Sequence, residues 1–226
     1  MADKTSSFIE LAKLFSEHGF SLFLVGGTVR DVLLKRELLD MDVVTDATPD
    51  MMKEFIDGDY TFAKMGSVKY RFNDVKFDIT TLRKEKNYKD SRHPKEVIFV
   101  RDLKTDHKRR DFTINAMYMD EKFHLYDFEN GLDDLNNKLI RMVGNPYKRL
   151  KEDPLRIIRC LRFSLTYQFS IEKELEKDLM ESAKYLKLVS ISKIQMEINK
   201  LDKSLKNEMN ELLVKYSINK YIDVIE

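Results

Sequence analysis

Cysteine is nearly absent from the 226-residue chain, with Cys160 standing alone. A single thiol excludes an internal disulfide framework and a Cys-rich zinc cluster. Within RIIRCLRF, an amphipathic helical pattern, it reads as a small buried hydrophobe rather than a nucleophile. Long apolar runs are missing too, since none reaches the roughly 18 residues that span a bilayer. The start, MADKTSSFIE, lacks the charged end, apolar middle and small-residue cleavage site of a secretory signal. The expected location is therefore cytoplasmic, with no membrane partner. Internal repeats and low-complexity tracts do not occur either. Nor does one sign of charge dominate, the formal net charge being +1. Hydrophobic residues at 42% and charged residues at 35% place the chain with ordinary globular proteins rather than disordered ones. Neutrality overall hides two basic stretches. Arg83 to Arg110 holds 11 Lys or Arg against 5 Asp or Glu, and Arg141 to Ser170 holds 7 against 2. Such stretches are local electrostatic footprints for phosphate-bearing partners.

Glycine and proline divide the chain. From Tyr147 onward there is no glycine and one proline, Pro154, which the first turn of a helix tolerates. This portion is predicted to be all helical. The Gly144-Asn145-Pro146 break before it sets an expected boundary near residue 145, giving domains 1–145 and 146–226. Upstream, residues 7–18 carry apolar residues at helical spacing and stop at Gly19. FSLFLV then reads as a strand, Gly26-Gly27 as a turn and TVRDVLLK as a helix. MDVVT, YTFAKM, SVKYRF and VKFDITTL read as successive strands. KEKNYKDSRHPKE reads as a mobile basic loop, after which EVIFV resumes the sheet. KRRDFTINAMYM is predicted to be helical, FHLYDF a strand, and NGLDDLNN a turn with a short helix. The first domain is thus α/β.

Asp40 and Asp42 are the sharpest chemical feature. Carboxylates two apart on a strand share a face, and carboxylate oxygens are the hard ligands that Mg²⁺ prefers. Two such ions could activate a hydroxyl nucleophile and stabilise a leaving pyrophosphate. Exposed strand acids give the same pattern when it stands alone. Gly26 and Gly27, between a strand and a helix, let backbone N–H groups approach a phosphate, with Arg30 close enough to assist. Asp111 and Asn115, four apart on the predicted helix, share a face that could meet a ribose and triphosphate, while HKRR before them could equally be a solvated basic run. Asp153 and Arg156, three apart at a helix start, could be a plain surface ion pair.

Read together, LVGGTVRDVLL, LDMD, FDITTLR, RRDFTINA and EDPLRIIRCLRF resemble the motifs of the bacterial and eukaryotic tRNA nucleotidyltransferase and poly(A) polymerase family, the class II CCA-adding enzymes, from about Phe20 to Ile222. The resemblance implies a polymerase-β-type nucleotidyltransferase head followed by a helical neck. It implies phosphate and metal binding by Gly26, Gly27, Arg30, Asp31, Asp40 and Asp42, with Asp78 as a third catalytic carboxylate where relatives carry Glu or Asp. Arg110, Asp111 and Asn115 would bind sugar and triphosphate. Asp153 and Arg156 would read the incoming base, and Arg159 and Arg162 would hold phosphates or RNA. The chemistry of that reading is self-consistent. Ionised Asp only accepts hydrogen bonds and Arg only donates them. Cytosine and adenine both offer an amino donor beside a ring-nitrogen acceptor, whereas uracil and guanine show the reverse.

The implied activity is template-independent addition of C and A from CTP and ATP to an RNA 3′ end, that of tRNA, with Mg²⁺ as two ions. A C-only or A-only enzyme, a poly(A) polymerase and a non-catalytic nucleotide- or RNA-binding module remain as alternatives. Met65-Gly66-Ser67-Val68 stands where poly(A) polymerases carry a Gly-Arg-Arg-Phe-like stretch, which favours the CCA-adding branch. Ser192-Lys193 stands where relatives have a Glu-Arg pair. The chain ends at Glu226, before the helical body and tail that hold tRNA in the family. RNA would then be held mainly by the two basic stretches, weakly and with strong salt dependence.

Overall fold

The computed structural model describes residues 4–38, 40–88 and 94–222. They pack as two compact units. The first comprises Met1–Glu85, Glu96–Arg110 and Ile114–Leu132, the second Lys86–Lys95, Asp111–Thr113 and Asp133–Glu226. Residue 145 thus lies inside the second unit, which begins its long run at Asp133.

The first unit opens with α1 (Lys4–Glu17), whose Phe8, Leu11, Ala12 and Phe15 are buried at helical spacing. Each large side chain so buried contributes about 1.5–3 kcal/mol. Gly19, at φ +81°, ends the segment. Next come β1 (Leu22–Val25), α2 (Gly27–Leu33), β2 (Met41–Thr45), α3 (Pro49–Met52), β3 (Ser67–Phe72) and β4 (Val75–Thr81). They are followed by β5 (Arg83–Tyr88) and β6 (Pro94–Phe99), of which residues 86–88 and 94–95 belong to the second unit, and by α4 (Leu103–Asp106), β7 (Tyr118–Met119) and β8 (Leu125–Tyr126). Six strands form one sheet in the order β3-β4-β2-β1-β7-β8. Only β2 and β4 are parallel, and the remaining neighbours are antiparallel. Along β4 the burial alternates, with Val75, Phe77, Ile79 and Thr81 inside and Lys76, Asp78 and Thr80 outward. Val25, Val44, Leu82 and Tyr118 form a core cluster, with Phe23 and Phe128 packed against it.

The second unit holds α5 from Gly131 to Asn136, whose first two residues belong to the first unit, and then β9 (Leu139–Ile140), α6 (Pro146–Glu152), α7 (Leu155–Tyr167), β10 (Ser170–Ile171), α8 (Lys173–Ser182), α9 (Ile191–Ile198) and α10 (Lys206–Lys215). Cys160 is fully buried in α7, and that burial pushes its thiol pKa well up, as a structural hydrophobe requires. No helix among the described residues is long and apolar enough to cross a membrane.

The structure corrects several local expectations. YTFAKM is not a strand. Met65 N–H donates to Phe62 O and Gly66 N–H to Ala63 O, making a 3-10 turn over Ala63–Met65. EVIFV does not rejoin the large sheet, because β6 pairs with β5 in a separate two-stranded ribbon. Part of the predicted loop is therefore strand, while Lys89–His93 lie outside the described residues. KRRDFTINAMYM is not a helix either. Arg110 is extended at φ −70° and ψ 162°. The Asp111 carboxylate accepts the N–H of Phe112 at 2.7 Å, a local bond that competes with helical geometry. The C-terminal portion is not wholly helical, since Ser170 and Ile171 pair in parallel with Leu139 and Ile140.

Candidate active site

Glycine at position 26 is a backbone requirement. Gly26 has φ 64° and ψ −126°, a conformation that L side chains rarely adopt. Its N–H donates to Met117 O at 3.4 Å and its carbonyl accepts from Arg30 N–H at 3.2 Å, which starts α2 immediately after β1. A Cβ on Gly26 would lie 3.6 Å from Arg110 Nη1, and one on Gly27 would lie 3.3 Å from Arg30 Nη2. The glycine pair is thus faced by two guanidinium groups. Gly26→Ala is expected to destabilise the first unit by about 1–3 kcal/mol through backbone strain. Urea unfolding measures it, and an unchanged midpoint would refute the requirement.

Each guanidinium is fixed by acceptors in the same unit. Arg30 is buried and donates through Nη1 to Asn115 Oδ1 at 2.6 Å and through Nε and Nη2 to Asp31 at 3.0 and 3.1 Å. Arg110 donates to Asp106 Oδ2 through Nη2 at 2.9 Å and Nε at 3.1 Å, and through Nε to the Tyr118 hydroxyl at 2.9 Å, its guanidinium lying 5.0 Å from that ring's centre. Asp106 is fully buried and also accepts from Arg109 Nε, the Tyr118 hydroxyl and the Arg83 N–H. Burial alone would raise its carboxyl pKa, but Arg110 and Arg109 outweigh that and hold it far below the usual carboxylate range. Asp106 and Tyr118 escaped the sequence reading. The available signal was an acid placed three and four residues before paired arginines in KTDHKRR.

The carboxylates meet on the sheet. Asp42 of β2 and Asp78 of β4 are register partners across the parallel pair, so their side chains leave the same face side by side. Asp40 lies in a bend just before β2 rather than on the strand itself. Thr28, in the first turn of α2, accepts the Asp42 N–H through Oγ1 at 2.9 Å and so ties the helix that follows the glycine turn to the backbone of β2 at Asp42. Although Asp42 is open to solvent, its recessed setting raises its pKa, and Asp78 and Asp40 raise it further against the pull of Arg110 and Arg30.

A divalent cation beside Asp42 would relieve the acidic crowding that raises its pKa. Among the described residues, no three His, Cys, Asp or Glu side chains stand together as a group that could by itself hold a metal ion. Mg²⁺ arriving with a triphosphate takes one or two protein carboxylates and fills its octahedron with phosphate oxygens and water, so the side-by-side carboxylates of Asp42 and Asp78 fit such an ion.

The second unit orders a different set. Asp111 and Asn115 do not share a helix face. Asn115 serves Arg30 in the first unit, whereas Asp111 accepts from Arg159 Nε at 2.8 Å in the second. Asp111 is held far below the usual range, burial being overcome by Arg159. Arg162 donates to the buried Glu197 through Nε at 2.8 Å. Arg159 and Arg162 also lie over the Phe163 ring at 5.3 and 4.2 Å. Asp153 caps the junction of α6 and α7, with Oδ1 accepting the Leu155 N–H at 3.2 Å and Oδ2 standing 3.9 Å from Arg156 Nε. Arg156 is buried and donates through Nη1 to Arg149 O at 3.0 Å. The Asp153–Arg156 pair is therefore loose, with each member anchored by the backbone beside it.

Comparison with known proteins shows the family. Residues 22–141 match the family model described as poly A polymerase head domain. The chain is 41% identical over 186 residues to a CCA-adding enzyme of Staphylococcus aureus, covering 82% of this chain and 46% of that protein. It is 40% identical over 192 residues to that of Staphylococcus epidermidis, covering 84% and 48%. Among solved structures, a Bacillus stearothermophilus CCA-adding enzyme in complex with CTP superposes with a TM-score of 0.88 at 31% identity, over 98% of this chain and 54% of that one. A Thermotoga maritima CCA-adding enzyme complexed with tRNA-CCA does so with 0.77 at 26% identity, over 97% and 53%. The chain spans about half the length of these relatives. With its head-domain match, its carboxylate pair and its arginine-faced glycine turn, the chain belongs to the poly(A) polymerase and class II CCA-adding family.

Proposed function

We propose that this chain carries the nucleotide-transferring machinery of a template-independent RNA nucleotidyltransferase that adds C and A from CTP and ATP to the 3′ end of tRNA. The observation that carries the reading is the Asp42–Asp78 register pair set beside the glycine turn that Arg110 and Arg30 face. The names of the relatives, and the CTP and tRNA-CCA complexes among the matching structures, support the substrate classes.

Asp40, Asp42 and Asp78 would hold two Mg²⁺ ions, whose chemistry is to make the attacking hydroxyl nucleophilic and to neutralise charge on the departing phosphates. Gly26 and Gly27 let the triphosphate lie against backbone N–H groups, and Arg110 and Arg30 compensate its charge from rigid positions. The RNA 3′ oxygen loses its proton to water and bonds to the α-phosphorus. The bond from that phosphorus to the β-phosphate oxygen breaks, and pyrophosphate leaves. Positioning and charge stabilisation supply most of the catalysis in such transfers. Asp153 accepts from the amino group that cytosine and adenine share, and Arg156 donates to the adjacent ring nitrogen. A site whose buried groups are left unpaired by uracil or guanine rejects them strongly.

Incubating the chain with tRNA lacking CCA, Mg²⁺ and each labelled triphosphate separately tests the reading. Incorporation of C and then A, with little U or G, is expected, and no incorporation from any triphosphate would overturn it. Asp153→Ala is expected to lower the preference for CTP over UTP by roughly tenfold to hundredfold while leaving Mg²⁺ binding intact, one lost hydrogen bond to a charged group being worth about 1.5–3 kcal/mol. An unchanged preference would remove Asp153 from base reading.

A further inference from the structure

The sheet handles phosphate on one flank of its carboxylates and presents a second cationic flank that the reaction has not yet used. In the order β3-β4-β2-β1, the glycine turn follows β1 on one side of Asp42, and Asp78 lies on β4 on the other. Beyond Asp78, β3 pairs Lys69 with Asp78 and Arg71 with Lys76. Lys76 and Asp40 each sit one residue before the partners Met41 and Phe77. Because alternate residues of a strand share a face, Lys69, Arg71 and Lys76 stand on the same sheet face as Asp78, next to Asp42 and Asp40. All three cations are exposed. A groove of about 440 Å³ runs among them, lined by Asp40, Lys69, Tyr70, Arg71, Lys76 and Asp78.

A solvated strand face with mixed charges would be the plain account, its cross-strand ion pairs contributing roughly 0.2–1 kcal/mol each. The side chains do not make those pairs. Among the described residues, Lys69 and Lys76 form no ion pair with a carboxylate, and Arg71 reaches only the exposed Asp74 at 3.2 Å.

Displacement at phosphorus places the attacking and leaving oxygens in line, on opposite sides of the reacting atom. With the leaving pyrophosphate on the glycine-turn side, the attacking hydroxyl arrives from the side of Asp78, across β4 and β3. We infer that this exposed β3–β4 face is the track for the acceptor strand. Lys69, Arg71 and Lys76 contact backbone phosphates of the last nucleotides of the RNA, and the groove receives its terminal sugar beside Asp78. The inference rests on the proposed transfer reaction and specifies the side from which its second substrate enters.

The Lys69→Ala, Arg71→Ala, Lys76→Ala triple variant tests it by binding rather than turnover. The probe is an RNA hairpin with a single-stranded 3′ CC tail, titrated between 50 and 200 mM salt, with CTP titrated separately. Losing three single-strand phosphate contacts lowers the slope of log affinity against log salt by about 2. RNA affinity at low salt falls by at least about tenfold, and CTP affinity stays within about twofold. A control triple of exposed lysines elsewhere on this unit, Lys13→Ala, Lys53→Ala, Lys122→Ala, changes the slope by less than about 0.5. Because all three track residues are exposed, the melting temperature of the variant stays near that of the parent chain. An unchanged RNA slope, an equal fall in the control, or loss of CTP affinity in place of RNA affinity would each overturn the track. Failure of the transfer reaction would show separately, as absence of incorporation by the parent chain.

Discussion

Asp42→Asn is expected to abolish nucleotide addition, with activity falling more than about hundredfold, beyond the usual cost of removing even an outer partner of a bound metal. The fold should survive, and in the absence of metal it should melt slightly higher than the parent. The reason lies in the charge arrangement. The recessed setting of Asp42, together with Asp78 and Asp40, raises its pKa. A carboxyl whose folded pKa stands above its unfolded value is, once ionised, a load on the folded state at every pH above both values. Asparagine keeps the shape and removes that load. Mg²⁺ should then raise the melting temperature of the parent chain at neutral pH and leave that of the variant almost unchanged. Thermal melts with and without Mg²⁺, alongside incorporation assays, read both effects. Activity near the parent level, or a Mg²⁺ response retained in full, would remove Asp42 from the metal site.

Asp106→Ala is expected to be among the most destabilising substitutions in the first unit. It leaves the Arg110 guanidinium, the Tyr118 hydroxyl and the Arg83 N–H without their common acceptor. Breaking a buried ion pair by deleting one partner costs about 3–5 kcal/mol. For a chain of this size that lowers the melting temperature by roughly 6–20 °C. Asp106→Asn should recover part of the loss by restoring an acceptor without the charge.

The pH dependence follows from the depressed pKa of Asp106. Its contribution is fully present above the unfolded carboxylate value of about 4 and is lost as pH falls toward the folded value. The gap in stability between parent and Asp106→Ala should therefore be widest at neutral pH and narrow below about pH 4. Urea unfolding at pH 7 and pH 3.5 checks this, and a gap independent of pH would show that the carboxylate charge is not what stabilises Arg110. Because Arg110 faces Gly26, the variant should also bind CTP more weakly.

Much of this protein was determined by the sequence alone. The helical spacing of Phe8, Leu11 and Phe15, the strand–glycine–helix order around Gly26-Gly27, and the alternation in VKFDITTL are local patterns, and the structure follows each of them. Asp40 and Asp42 stood out by their spacing in the linear chain, whereas Asp78 was singled out only by the family resemblance, and it is the parallel pairing of β2 and β4 that sets it beside Asp42. Elsewhere the tertiary structure decided. KRRDFTINAMYM has helical composition, yet its Asn115 is drawn to Arg30 and its Asp111 to Arg159, so an acid and an amide predicted on one face serve different units. YTFAKM has strand composition, yet hydrogen bonds within four residues close it into a turn. Asp106 looked like one acid in a basic run until burial made it the shared acceptor of two arginines, a tyrosine and a backbone N–H. Sequence thus set which chemical groups are present and the period on which they repeat. Only folding set which buried charges share a partner and which strands lie side by side. Those outcomes depend on desolvation and on pairing between residues distant along the chain, and neither is encoded in local spacing.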